Sequence, residues 1–120
     1  MSKVSRISPR SLKQIVEGKV TEKVKCVVKF YSNGCHLCHN LKEYYDEIST
    51  EYDDVYFFAF NVGDDHSFED RLKFNGVPSI FMFDIDPPAM KIARLEDPET
   101  PHEHTWYTVN AIKSFIEGEK

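Results

Sequence analysis

Two cysteines separated by two residues are the side chains of this chain best suited to chemistry. Cys35 and Cys38 stand where an apolar, strand-like stretch gives way to a helix-like one. The free N–H groups and partial positive charge of a helix N-terminus stabilise a thiolate. We therefore predict that Cys35, on the turn, is the attacking nucleophile and that Cys38, one helical turn later, resolves a mixed disulfide. His36, when protonated, would add a second positive neighbour that tunes the Cys35 thiolate.

The same letters also fit other kinds of site. Residues Cys35 to His39 spell Cys-x-x-Cys-His, the pattern of covalent haem attachment. Zinc could use the two cysteines with two histidines, and His102 and His104 are more distant candidates. A buried, inert pair of cysteines is a further alternative. No second ligand pair stands at finger-like spacing, and no apolar run of a signal peptide follows the basic start of the chain. We therefore expect neither a metal nor haem.

Hydrophobic patterning predicts the elements that position the pair. Runs of strand character cover residues 4–7, 24–31, 55–62, 77–84 and 91–95. Helical patterns cover 9–18, 37–48, part of 64–75, and 109–118. In the second helix, Lys42, Glu43, Asp46 and Glu47 are predicted to face outward. The order β-α-β-α-β-α-β-β-α predicts an α/β fold with a mixed central sheet and helices on both faces. Residues 96–107 are predicted to be a loop.

Length and composition bound the class of protein. The 120 residues, 41% hydrophobic and 29% charged, fit a single globular domain over 1–120. The net charge of −5 disfavours nucleic acid as a partner. No apolar run is long enough to span a membrane. Three cysteines are too few for a disulfide-stapled secreted scaffold, so we expect a cytoplasmic protein. We also expect it to act as a monomer.

The sequence on both sides of the pair resembles the thioredoxin family nearly end to end. The strand 26–31 that leads into Cys35-x-x-Cys38 and an amphipathic helix is similar to the active-site unit of that family. Residues 74–80, Phe-Asn-Gly-Val-Pro-Ser-Ile, resemble its second signature, in which a proline stands at the head of a strand. The resemblance implies a thioredoxin fold in which the Val77–Pro78 bond is cis and faces the cysteines.

The resemblance also implies an activity. A thioredoxin-like protein is a thiol–disulfide oxidoreductase whose redox-active disulfide serves in place of a cofactor. Its expected partners are protein disulfide substrates and an upstream reductase. The substrate chain would lie along Gly76, Val77 and Pro78, with the Val77 backbone pairing with it as an added strand, and next to Gly34.

Three positions depart from the family pattern. Gly34 stands where tryptophan is usual, and His36-Leu37 replace the usual Gly-Pro between the cysteines. Lys29, six residues before Cys35, occupies the position of a buried acid that serves the resolving cysteine. A buried lysine could act as a neutral proton shuttle or, when charged, hold Cys38 as a thiolate. The alternative for Lys29 is a side chain that reaches solvent from a sheet edge.

Other functions and roles stay open at this point. A glutaredoxin-like enzyme that uses glutathione is the nearest alternative, because Tyr31-Ser32 before the cysteines and Lys42 after them fit that pattern. A redox-silent binding subunit and an iron–sulfur or metal scaffold belong to different classes. Cys26 is predicted to be a buried, non-catalytic thiol. Trp106 is predicted to pack over the end of the sheet.

Overall fold

The computed structural model describes residues 2–118, and its elements follow the predicted order. The strands are β1 (Val4–Arg6), β2 (Val24–Tyr31), β3 (Val55–Asn61), β4 (Ser79–Asp86) and β5 (Ala89–Arg94). The helices are α1 (Pro9–Val16), α2 (His36–Ser49), α3 (Ser67–Leu72) and α4 (Val109–Glu117), with a short 3-10 turn at Val62–Asp64. The predicted α/β class is thereby confirmed. Within 2–118, none of the helices combines the length and apolar character needed to cross a bilayer.

Strand β2, which leads into the cysteine pair, lies at the centre of the sheet. The strand order is β1-β3-β2-β4-β5. Strands β1 and β2 both run parallel to β3, whereas β4 runs antiparallel to β2 and to β5. A mixed sheet of this kind needs helices on both faces, because β2 is buried on both sides. The central position gives the active-site turn a rigid base.

The two faces of the sheet carry separate hydrophobic clusters. Alternation along β2 directs Cys26, Val28 and Phe30 into one cluster, with residues of α1 and α3. Val27 points the other way, into the cluster formed with α2 and α4. Cys26 is buried and free, as predicted, and desolvation raises the pKa of its thiol to about 11.

The last hairpin is displaced from its predicted position. Strand β4 begins at Ser79, which pairs with Phe30, and not at residue 77. Pro78 has no N–H to contribute to a ladder, and Gly76 adopts a positive φ of 106° that turns the chain before the strand. At the other end, Asp86 pairs with Ala89 across a two-residue turn, so β5 also begins earlier than predicted.

Candidate active site

Cys35 is the residue that caps helix α2. Its backbone is extended (φ −95°, ψ 101°), and its Sγ accepts a hydrogen bond of 3.1 Å from the backbone N–H of Cys38. The Cα atoms of the two cysteines lie 5.2 Å apart, and their sulfurs form a disulfide. A cap sulfur at this place receives both an N–H donor and the positive end of the helix dipole, and both favour a thiolate once the disulfide is reduced.

The two cysteines differ in their access to solvent. Cys35 is half-buried, whereas Cys38 is only 3% exposed. The difference follows from the helix, because Cys38 lies on the inward face of the first turn while the cap residue stays at its rim. An incoming disulfide can therefore reach Cys35 more readily than Cys38. This asymmetry fits the predicted roles of nucleophile and resolving cysteine.

The turn that precedes the helix brings Gly34 to the surface beside the pair. The N–H of Cys35 donates to the carbonyl of Ser32 at 3.3 Å, which closes a tight turn after β2. Gly34 is exposed, and no atom lies within 4 Å of the position that a Cβ would take there. Space therefore does not require glycine at this position. Gly34 itself contributes no aromatic side chain to this rim.

The segment before β4 lies against Cys35. The Val77–Pro78 peptide bond is cis, and the carbonyl oxygen of Val77 is 3.8 Å from Cys35 Sγ. The Ser79 hydroxyl donates to the carbonyl of Gly76 at 2.8 Å, and the Tyr107 hydroxyl donates to the carbonyl of Pro78 at 3.4 Å. Val77 is half-buried and lies outside the paired part of β4. The structure thus places Val77, which stands between Gly76 and Pro78, beside Cys35.

Lys29 is buried in strand β2 and lines the same cleft as Cys38. It is 4% exposed and lies in a strand with neighbours on both sides, so the alternative of a lysine reaching solvent from a sheet edge is wrong. Its Nζ lies 5.0 Å from the ring centroid of Tyr45 and 5.8 Å from that of Tyr31. Desolvation lowers the pKa of Lys29 to about 8, while the charge of Asp46 opposes that shift.

A cleft of about 530 Å³ connects Lys29 with solvent. We refer to it as the Lys29 cleft; its lining includes Arg6, Lys29, Tyr31, Cys38, Lys42 and Asp46. Asp46 was predicted to face outward, but it is half-buried and lines this cleft. Its carboxylate accepts a hydrogen bond of 2.8 Å from Lys42 Nζ, one helical turn earlier. Lys42, Tyr45 and Asp46 follow Cys38 by one or two turns of α2, so they lie on one side of the helix. This spacing is the signal in the sequence that could have placed Asp46 on the side of Cys38.

The histidines do not converge with the cysteines. His36 and His39 are exposed on α2. His102 lies in the 96–107 loop, where its Nδ1 accepts a hydrogen bond from the backbone N–H of His104. In the described part of the chain, no three His, Cys, Asp or Glu side chains are grouped so that they could hold a metal ion.

The 96–107 loop packs against the active-site helix. Asn40 lies two residues after Cys38, and its side-chain amide donates a hydrogen bond of 2.8 Å to the carbonyl of His104. Trp106 packs on the cluster shared by α2 and α4, and its backbone takes a positive φ of 68°. Backbone hydrogen bonds between His102 and Trp106, of 3.1 and 2.9 Å, hold that turn. The loop thus contacts helix α2 close to the cysteine pair in sequence.

Comparison with known proteins agrees with this geometry. The sequence profile of the thioredoxin family matches residues 4–101. Among solved structures, the Trx4 domain of ERdj5 has a TM-score of 0.74 at 13% identity, over 98% of this chain and 96% of that one. Thioredoxin NaTrxh from Nicotiana alata has a TM-score of 0.73 at 16% identity, over 99% and 94%. A search of curated proteins found no match.

A longer solved structure extends the comparison. The J-Trx1 fragment of ERdj5 has a TM-score of 0.69 at 22% identity, over 97% of this chain, which spans about half (49%) of that fragment. Identities in this range show a shared fold alone. The profile covers most of the sequence, and the cysteine pair at the start of α2 supports thiol–disulfide oxidoreductase chemistry in general. The chain belongs to the thioredoxin family.

Proposed function

We propose that this protein exchanges electrons with disulfides of other proteins through the Cys35–Cys38 pair. The observation that carries the proposal is the environment of the Cys35 sulfur. It caps α2 and accepts the N–H of Cys38, and Cys35 is the more exposed residue of the pair. No cofactor is needed for this reaction, because the two sulfurs themselves carry the electrons.

The first step is attack on a substrate disulfide. The Cys35 thiolate forms a bond to one substrate sulfur, and the bond between the two substrate sulfurs breaks. The other substrate sulfur leaves as a thiolate and takes a proton from water. An extended substrate chain would lie along Val77, whose backbone is outside the β4 ladder and free to pair with it as an added strand.

The second step releases the substrate. Cys38 loses its proton and attacks Cys35 Sγ, so that the Cys35–Cys38 disulfide forms and the bond between Cys35 and the substrate sulfur breaks. That substrate sulfur leaves as a thiolate and takes up a proton. Two electrons and two protons pass to the substrate in the complete reaction. Lys29, which lines the same cleft as Cys38, has one of two roles here: as a neutral amine it accepts the proton of Cys38, or as an ammonium it favours the Cys38 thiolate. An upstream reductase then restores the dithiol.

Two parallel assays test the proposed substrate class. With dithiothreitol as electron source, we expect the protein to accelerate the reduction of insulin, a protein disulfide substrate. We expect little acceleration with a small glutathione mixed disulfide and reduced glutathione. Faster turnover of the glutathione substrate than of insulin would instead favour the glutaredoxin-like alternative.

The redox potential should be less reducing than that of a thioredoxin with Gly-Pro between its cysteines. Groups that stabilise the Cys35 thiolate stabilise the reduced form, and a positive charge on His36, the first residue of α2, would act in this direction. We therefore expect a potential above about −270 mV when the protein is equilibrated with a glutathione buffer. The variant His36→Gln should be more reducing than the wild type. A wild-type potential at or below −270 mV would contradict this expectation.

The setting of the reaction is part of the same proposal. We propose that the pair cycles in the cytoplasm, where a reductase keeps it available as a dithiol. The net charge of −5 fits protein substrates better than nucleic acid. We propose that the protein acts as a monomer and is not bound to a membrane.

A further inference from the structure

The Lys29 cleft holds a cation with no ion-pair or hydrogen-bond partner among residues 2–118. The Lys29 side chain is 4% exposed, and its Nζ meets solvent only through the cleft. The rings of Tyr31 and Tyr45 face the ammonium, but a ring offers no hydrogen-bond acceptor of comparable strength. Buried charged groups are ordinarily paired or hydrogen-bonded. The missing partner can therefore be a ligand that enters the cleft.

The charges around the cleft favour an anion. Arg6 and Lys42 also line it, and Asp46 is its one carboxylate among the described residues. The hydrogen bond of 2.8 Å that Asp46 accepts from Lys42 occupies this carboxylate at the side of the cleft. Three cationic side chains against one carboxylate leave a surplus of two positive charges. This surplus lies within a concave site, where the surrounding protein strengthens electrostatic interactions.

Neutral donors complete the lining. Ser32 and Asn33, in the turn before Cys35, both border the cleft. The side-chain oxygen of Asn33 accepts a hydrogen bond of 2.9 Å from Asn61, which leaves the Asn33 amide N–H groups available as donors. The volume of about 530 Å³ is in the range of small-molecule sites.

We propose that the Lys29 cleft binds a small ligand carrying an oxyanion, a sulfate, phosphate or carboxylate group, which pairs with the Lys29 ammonium. The cleft is distinct from the substrate groove, because Cys35 and Val77 do not line it. Cys38 does line it, so a bound oxyanion lies next to the resolving cysteine. The inference rests on the cleft alone and holds whether or not the protein reduces disulfides.

Titration of the oxidised protein by two-dimensional NMR tests the proposal. Sodium sulfate and sodium succinate are added separately at constant ionic strength, with sodium chloride as the reference. We expect saturable shifts of the amides of residues 29–33 and 38–42, with a dissociation constant on the order of 1 mM. Saturation by sulfate alone or by succinate alone would support the proposal and identify which oxyanion class the cleft prefers.

Matched variants locate the site. Lys29→Met should weaken binding by about tenfold or more, since it removes a charge-assisted hydrogen bond. Lys25→Met removes a lysine from the same strand outside the cleft and should leave the affinity unchanged. If Lys29→Met fails to fold, which its spectrum would reveal, Arg6→Gln at the cleft should still weaken binding. Linear shifts without saturation, or equal affinities in wild type and the Lys29 or Arg6 variant, would overturn the proposal.

Discussion

Replacing Cys35 by serine should lower the rate of insulin reduction by about 1,000-fold or more. A serine hydroxyl is not ionised near neutral pH and cannot form a disulfide, so neither step of the exchange can proceed. The other sulfur of the pair, Cys38, is 3% exposed and offers a poor substitute for the nucleophile. The measurement is the initial rate of insulin precipitation with dithiothreitol, corrected for the rate without protein.

Cys26→Ala provides the matched control for this loss. Cys26 is buried on the opposite face of β2, where the pKa of its thiol is raised to about 11, so its removal should leave the rate within about twofold of wild type. If Cys35→Ser also keeps the wild-type rate, the pair is not the active centre. A biological effect that survives Cys35→Ser would point to the redox-silent binding subunit.

Replacing Lys29 by methionine should stabilise the oxidised protein at pH 7 by about 3 kcal/mol. Burial lowers the pKa of Lys29 from 10.5 to about 8, so the folded state holds its proton less tightly than the unfolded state. Below pH 8 the folded protein must carry the buried charge and loses stability by that amount. As pH rises from 8 to 10.5, only the unfolded state keeps the proton, and the penalty disappears gradually. Methionine has nearly the same length and no charge.

Denaturant unfolding in chloride buffers at pH 7 and pH 9 checks this expectation. The stability gap between Lys29→Met and wild type should narrow by about 1 kcal/mol between the two pH values. The contributions of Cys26 and of the buried tyrosines cancel in this difference, since both proteins contain them. A destabilised Lys29→Met protein, or a gap that widens with pH, would show that Lys29 has a neutralising partner in the folded state.

Much of the fold could be predicted because its signals are local. Strand β2 was predicted at residues 24–31 and is found there, since a run of β-branched and aromatic residues bounded by turn residues marks a central strand. The hairpin of β4 and β5 was displaced by about two residues. The start of β4 is set by the pairing of Ser79 with Phe30 of β2. These two residues are far apart in the sequence, so no local pattern contains their pairing.

The site divides in the same way. The positions of Cys35 and Cys38 follow from one turn of one helix, so a short sequence window was sufficient to predict them. The burial of Lys29 depends on the strand order, which puts β2 between β3 and β4, and no local pattern contains that order. The pattern of α2 alone places Asp46 on the outer face of the helix. The cleft that Asp46 lines is formed partly by Arg6 from β1, which a helical pattern does not contain. Such neighbours become visible only when the sheet is assembled.

Trapping of the mixed disulfide tests the central claim most directly. The variant Cys38→Ser, reduced and then incubated with a protein disulfide, lacks the group that completes the second step. Digestion and mass spectrometry of the product should show the substrate linked through Cys35, with Cys26 left as a free thiol. Linkage through Cys26, or no linked product from a fully reduced and folded variant, would contradict the assignment of Cys35 as the nucleophile.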